Sequence, residues 1–366
     1  MASVECKSNI HGGFFLNIEI FIDILKLLIE TYPELLQTFS PIDGSYPIHL
    51  AARCQPSEFM KVLVDAYADS VKKLDGKSRL AFHIACEHGT VDTVRYLYNV
   101  APESINASDN LGLGPIHFAA VHQNDPNVDV LKFLLAKDPV GASRAAELNG
   151  IRDDSVLYGT HDLQRYHGFL PLHYAADNRG SISAIRVLFD SYPDALNMEV
   201  KRLDPMTHRL RNPFSTYVSL SPRDLARKSH HEDAYKFFDE TNMTLVSYRA
   251  FPRPLLCAIR GCLSLGEIKL FSMWFGNDQS ICDGENNSPL HLACQYRRVD
   301  IVNFLLEQWP TNGLNQNCHG KYPFDVLMEA SNFTDEDINA PEYVEATWRL
   351  LVANPQAFVN FVNSMD

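Results

Sequence analysis

Five segments of this chain share one pattern, and a sixth follows it loosely. They are Pro47-Ile48-His49-Leu50-Ala51-Ala52, Ala81-Phe82-His83-Ile84-Ala85-Cys86, Pro115-Ile116-His117-Phe118-Ala119-Ala120, Pro171-Leu172-His173-Tyr174-Ala175-Ala176, Pro289-Leu290-His291-Leu292-Ala293-Cys294 and the weaker Pro323-Phe324-Asp325-Val326-Leu327. The steps His49 to His83, His83 to His117 and His291 to Asp325 are each 34 residues. A period of that length is the signature of stacked helix pairs, in which neighbouring units share one continuous core.

A second ladder, Leu-x-x-x-x-Pro, recurs at Leu28/Pro33, Leu97/Pro102, Leu134/Pro139, Leu188/Pro193, Leu305/Pro310 and Leu350/Pro355. The residues before each proline are apolar at helical spacing, and proline then stops the helix because it lacks an N–H and disfavours the α conformation in the residue before it. The prolines of the first ladder mark helix starts, where the missing N–H costs nothing. Five residues before each anchor stand Gly44, Ser78, Gly112, Gly168, Asn286 and Gly320. A tight turn needs a left-handed residue there, so these positions are expected at positive φ.

Two degenerate units fill the gap after His173. Pro222-Arg223-Asp224-Leu225-Ala226 and Pro254-Leu255-Leu256-Cys257-Ala258 take the helix-start position, with Phe238 and Leu270 as their second-helix anchors. A half-unit, with its second helix from about Phe21 to Tyr32, precedes the ladder, and a helix around Tyr343 to Val352 closes the last unit.

The combination of turn glycine, Pro-Leu-His-x-Ala-Ala, short helix and longer apolar helix resembles the ankyrin repeat. That resemblance implies an all-α solenoid of about eight helix-pair units plus a partial N-terminal unit, spanning 12–366 as a single domain after a tail at 1–11. The family's threonine before the proline is replaced by Tyr46, Leu80, Gly114, Leu170 and Ser288. Of these only Ser288 can supply the hydroxyl-to-histidine bond usual in the family.

The net charge of −13 argues against a general nucleic-acid or anionic-membrane surface. Eight scattered cysteines without a Cys-x-x-Cys pair suit a reducing compartment, so the cytoplasm, or the nucleus, is expected. Cys86 and Cys294 stand where other units carry alanine and read as small core residues. The motif histidines, one repeat apart, are too distant to share a metal ion and read as groups bonding turn backbone. Asp75-Gly76-Lys77-Ser78 lacks the earlier glycine of a phosphate loop, and Gly112-Leu113-Gly114 lacks the third glycine of a dinucleotide site. The expectation is therefore a monomer without catalytic residue, cofactor or metal, and without nucleic-acid or membrane partners. Trp274, Trp309 and Trp348, on second helices, read as packing residues.

The spacing lengthens at two adjacent places, from His117 to His173 and from His173 to Asp224. The extra residues, about 142–167 and 197–220, fall between one second helix and the next first helix, which is the finger position of such a repeat. Insertions on one face of an array mark its binding face. The second reads as a hairpin with arms Met198–Leu203 and Thr207–Arg211, carrying Lys201, Arg202, Arg209 and Arg211. Those arginines suit an acidic or phosphorylated partner. The first insertion, with Arg144, Glu147 and Tyr158 among its residues, is acidic by one charge and could fold against the hairpin. Exposed finger aromatics, Tyr158, Tyr166 and Tyr217, are the expected contact residues. A third addition, 331–342, reads as an acidic surface loop. The function expected is that of an intracellular adaptor or scaffold holding a protein partner on its concave finger face. A regulatory subunit that occludes a partner enzyme's active site is the other use of such a surface.

Overall fold

The computed structural model describes residues 18–54, 56–122, 128–147, 167–203, 217–251, 253–275, 281–329 and 340–363. The chain divides into two compact units, residues 1–238 and 239–366.

In the first unit, short and longer helices alternate. They are α1 (Ile18–Thr31), α2 (Pro47–Cys54), α3 (Ser57–Ala66), α4 (Ala81–His88), α5 (Val91–Val100), α6 (Pro115–Ala119), α7 (Asp129–Lys137), α8 (Pro171–Asp177), α9 (Ile182–Ser191) and α10 (Pro222–Lys228). Helix α11 follows at Glu232–Arg249. Helices α2, α4, α6, α8 and α10 pack in one row, and α1, α3, α5, α7 and α9 in a second. The second unit repeats the scheme with α12 (Pro254–Arg260), α13 (Leu265–Phe275), α14 (Pro289–Gln295), α15 (Val299–Gln308), α16 (Pro323–Glu329) and α17 (Pro341–Ala353), followed by α18 (Pro355–Asn363). Its rows are α12, α14 and α16 against α13, α15 and α17.

The short helices start at the prolines of the motif, as their spacing predicts, and are buried almost throughout. Ala81–Cys86, Pro171–Ala176 and Pro289–Cys294 are all inside, because each short helix is covered on both sides by its neighbours and its alanines allow close approach. The longer helices bury one stripe, such as Thr93, Val94 and Leu97 or Ile301, Val302 and Leu305. Each such leucine contributes about 2 kcal/mol by leaving water. The prolines that close the longer helices do more than stop them. Pro33, Pro102, Pro193 and Pro310 each open a single 3-10 turn that carries the chain into the finger.

In the two degenerate segments, helices begin at Pro222 and Pro254. Phe238 and Leu270 are fully buried at the positions expected for them, in α11 and α13. All six expected turn residues are left-handed, with φ of 70° at Gly44, 61° at Ser78, 78° at Gly112, 77° at Gly168, 60° at Asn286 and 74° at Gly320. A second left-handed register lies six residues after the anchors, at Arg179, His230, Cys262 and Arg297, where the first helix turns into the second.

Three expectations change. The first hairpin arm, β1 (Val200–Leu203), pairs with β2 (Tyr217–Leu220), a strand the sequence does not mark; Thr207–Arg211 lies outside the described residues. Glu342 is helical, in the first turn of α17, instead of belonging to an acidic loop; residues 330–339 lie outside the described residues. Trp348 is not a packing residue: it is 63% exposed, because it points away from the buried stripe Tyr343, Ala346 and Leu350 of the same helix. Among the described residues no helix is long and apolar enough to cross a membrane.

Candidate functional site: the fingers and their base

Each regular finger is a two-armed turn closed by one backbone hydrogen bond at its base. Asp75 N–H donates to Arg79 O at 3.0 Å, Asp109 to Leu113 at 3.0 Å, Asp283 to Asn287 at 3.1 Å and Asn317 to Lys321 at 3.0 Å. The first residue of each pair then fills its own turn. Asp75 Oδ1 accepts from the N–H groups of Lys77 and Arg79 at 2.9 and 2.8 Å, and Asp109 Oδ1 accepts from Leu111 and Leu113, both at 2.8 Å. Asp283 and Asn317 do the same in the second unit. A short side-chain acceptor in this place satisfies N–H groups that a tight turn leaves without partners. This ladder escapes the motif reading, although its signal was present: an Asp or Asn eight residues before the anchors His83, His117, His291 and Asp325.

The anchor histidines bolt the fingers to the helices. In His49, His83 and His117 the Nδ1 accepts from the backbone N–H three residues earlier, of Tyr46, Leu80 and Gly114, at 3.1, 3.1 and 3.2 Å. A backbone N–H can only donate, so the ring proton sits on Nε2. That nitrogen donates to a carbonyl in a finger arm: His49 to Arg79 O at 3.0 Å, His83 to Ala107 O at 3.2 Å, His117 to Phe169 O at 3.0 Å. His173 and His291 reach Met198 O and Lys321 O, both at 3.0 Å. Ser288 supplies the hydroxyl expected of it, 2.8 Å from His291 Nδ1. At His49, His83 and His117 the backbone N–H alone takes its place, and the buried Nδ1 of His173 has no hydrogen bond among the described residues. Asp224, which replaces the histidine, receives the Ser221 hydroxyl at 2.8 Å, a substitution by the same logic.

Burial holds these rings neutral. It pushes His83, His117 and His173 down to about 4 and lowers His49 and His291. Where both ring nitrogens are committed to backbone, as in His49, His83, His117 and His291, the ring is not free to serve as a base or a metal ligand. Cys86 and Cys294 are fully buried, and burial raises both thiols far above the usual range. Among the described residues no group of three or more His, Cys, Asp or Glu side chains could hold a metal ion.

The two lengthened fingers keep the same base. Ala146 N–H donates to Phe169 O at 2.8 Å, the bond that Asp75 makes to Arg79, and Gly168 N–H returns to Ala146 O at 2.8 Å. Residues 147–168 thus occupy the place of 76–78. In the next finger Val200 pairs with Leu220, four residues before Asp224 as Leu113 is four before His117, and the ladder continues outward through Lys201↔Ser219, Arg202↔Val218 and Leu203↔Tyr217. The base pairs thus lie inside the bounds expected for the additions, later than Ala142 and Asn197, and residues 148–166 and 204–216 lie outside the described residues.

Of the residues expected to bind a partner, Lys201 and Arg202 lie in β1 and Tyr217 begins β2. Tyr158, Tyr166, Arg209 and Arg211 lie outside the described residues. Arg144, assigned to the first insertion, instead pairs with Asp138 at 2.8 Å below the finger. Apolar tips that the motif reading passed over stand on the first two fingers: Phe39 and Ile42 are 60% and 94% exposed, and Leu74 is 52% exposed. Gly76 N–H bonds Asp43 O at 3.0 Å and so ties those two fingers together. Between them the Lys73 ammonium sits 5.7 Å from the rings of both Tyr46 and Tyr67, a cation–π arrangement.

Family models decide what these units are. A model of ankyrin repeats in three copies matches residues 19–106 and 49–144, and a model of the single ankyrin repeat matches 285–314. The chain carries ankyrin repeats. Ankyrin repeats are generally protein–protein interaction modules, and both lengthened fingers fall in the stretch between the two sets of matches.

Proposed function

We propose that this ankyrin-repeat chain is an adaptor or scaffold in the cytoplasm or nucleus, acting by binding rather than by chemistry, and that its two lengthened fingers hold the partner protein. One observation carries the reading: Ala146 with Phe169 and Val200 with Leu220 keep the backbone pairing of a regular finger base, so the extra residues enter between the two base positions while the row of short helices stays packed. Loops that grow without disturbing their scaffold are where recognition resides in repeat arrays. Lys201, Arg202, Arg209 and Arg211 favour an acidic or phosphorylated partner surface, with Tyr158, Tyr166 and Tyr217 as the aromatic contacts.

The ladder supplies a clean test. Leu203 and Tyr217 face each other, so residues 204–216 can be replaced by Asn-Gly, the two-residue turn that suits a hairpin. Affinity purification with the intact and shortened chains should recover a partner with the first that is lost with the second, at equal thermal stability. Identical partner sets from both, and from a chain shortened at 148–166, would remove the finger reading.

A further inference from the structure

The last long helix of the second unit presents a stripe that its neighbours do not cover. Val344, Trp348 and Val352 of α17 are 54%, 63% and 62% exposed, whereas Tyr343, Ala346 and Leu350 on the opposite side are buried against the repeats. A helix face turned to water is ordinarily polar, and this one turns out a tryptophan between two valines.

Two features of the stripe fit it to a second copy of itself. The first is symmetry. Val344 and Val352 lie four residues to either side of Trp348, so an antiparallel copy centred on Trp348 sets each valine against the other copy's opposite valine, as a two-fold contact requires. The second is charge. Glu345 and Arg349 share one flank of the stripe, and Arg349 is held there by Glu345 and Glu307, both at 2.6 Å. At a rise of 1.5 Å per residue, the antiparallel copy brings its Arg349 to within about 3 Å, along the axis, of Glu345, and the reciprocal pair forms by the same symmetry. We propose that the exposed face of α17 is a homodimer interface, packed antiparallel about Trp348 and flanked by two reciprocal Glu345–Arg349 pairs. The chain then differs from the monomer its sequence suggests, and partner binding at the fingers is left free.

Sedimentation velocity of the intact 366-residue chain over a wide concentration range tests this. The wild type should shift from monomer to dimer as concentration rises, and Trp348→Glu should stay monomeric with an unchanged circular-dichroism melt. Glu345→Arg and Arg349→Glu should each weaken the dimer by about tenfold, through like-charge contacts. Mixing these two variants should restore it, because each mixed pair then sets one cation against one anion on both sides. A wild type that remains monomeric at every concentration overturns the proposal. So does a Trp348→Glu chain that still dimerises, or a mixture no tighter than its components.

Discussion

His117 Nε2 donates to the carbonyl of Phe169 across a lengthened finger, at 3.0 Å and 52 residues' separation, while its Nδ1 accepts from Gly114 N–H at 3.2 Å. Both partners are buried, so the ring is the clamp that lets the insertion grow without unseating the next repeat. Removing it leaves the buried Gly114 N–H without its acceptor, at about 1–3 kcal/mol, and takes one of two donors from the Phe169 carbonyl, which Ala146 N–H still bonds. His117→Ala should therefore cost about 1–3 kcal/mol in urea unfolding. A loss below about 0.5 kcal/mol would show that the clamp is ornamental.

The buried histidines set the acid limit of the repeats. His83, His117 and His173 have pKa values near 4 in the folded chain against about 6.5 when unfolded, and His49 and His291 are lowered too. The unfolded chain binds the extra protons, so stability is complete above about pH 6.5 and falls as pH drops towards 4. Each fully coupled histidine contributes about 1 kcal/mol per pH unit in that window. Asp109, raised by burial, works in the opposite direction. Burial raises Asp75 and Asp283 as well, but hydrogen bonds from Arg79 and Asn287 outweigh it and leave both lowered, so they act below about pH 4. Four of the five histidine anchors belong to residues 1–238. Hydrogen exchange between pH 7 and 5 should therefore show protection lost there before it is lost in 239–366. A profile flat in both regions would contradict the assignment.

Much of this architecture is legible because two chemical constraints recur at fixed spacing. Proline can only begin or end a helix, and the turn five residues before the anchor needs positive φ, so the ladders at Pro47 and Leu28 and the glycines at Gly44 and Gly112 declare themselves. The Asp75, Asp109, Asp283 and Asn317 ladder is less visible because Asp and Asn are common surface residues, and only the closed turn shows that one carboxylate oxygen serves two N–H groups. The hairpin partner is missed for another reason. Thr207–Arg211 reads as a strand from local composition, whereas the register is set from below, by Val200 and Leu220 taking the finger-base positions. Trp348 reads as core because second helices bury their apolar residues, but it lies on the side of α17 away from the buried stripe Tyr343, Ala346 and Leu350.

The turn glycines separate conformation from space. Gly112 (φ 78°) and Gly168 (φ 77°) share a left-handed backbone, yet a Cβ on Gly112 would collide with the Glu147 backbone, while one on Gly168 meets nothing within 4 Å. Gly168→Ala should cost about 1 kcal/mol, the left-handed penalty alone. Gly112→Ala should cost at least twice that and loosen the base of the finger that carries residues 147–168. Equal losses in chemical denaturation would mean that the Glu147 backbone yields to the methyl group.

Thiol chemistry offers a probe of the framework that does not disturb it. Cys86 and Cys294 are buried with thiols held protonated, whereas Cys262 and Cys318 are exposed, the first in a left-handed helix connection and the second at a finger tip. Only the thiolate attacks an alkylating reagent, so reactivity follows exposure and thiolate fraction together. Brief treatment of the native chain with iodoacetamide at pH 8, read by peptide mass spectrometry, should label Cys262 and Cys318 and spare Cys86 and Cys294 until denaturant is added. Because Cys86 belongs to α4 and Cys294 to α14, the denaturant concentration at which each becomes labelled also reports the opening of residues 1–238 and 239–366 separately. Prompt labelling of either buried thiol in native buffer would show that its repeat opens far more readily than its packing implies.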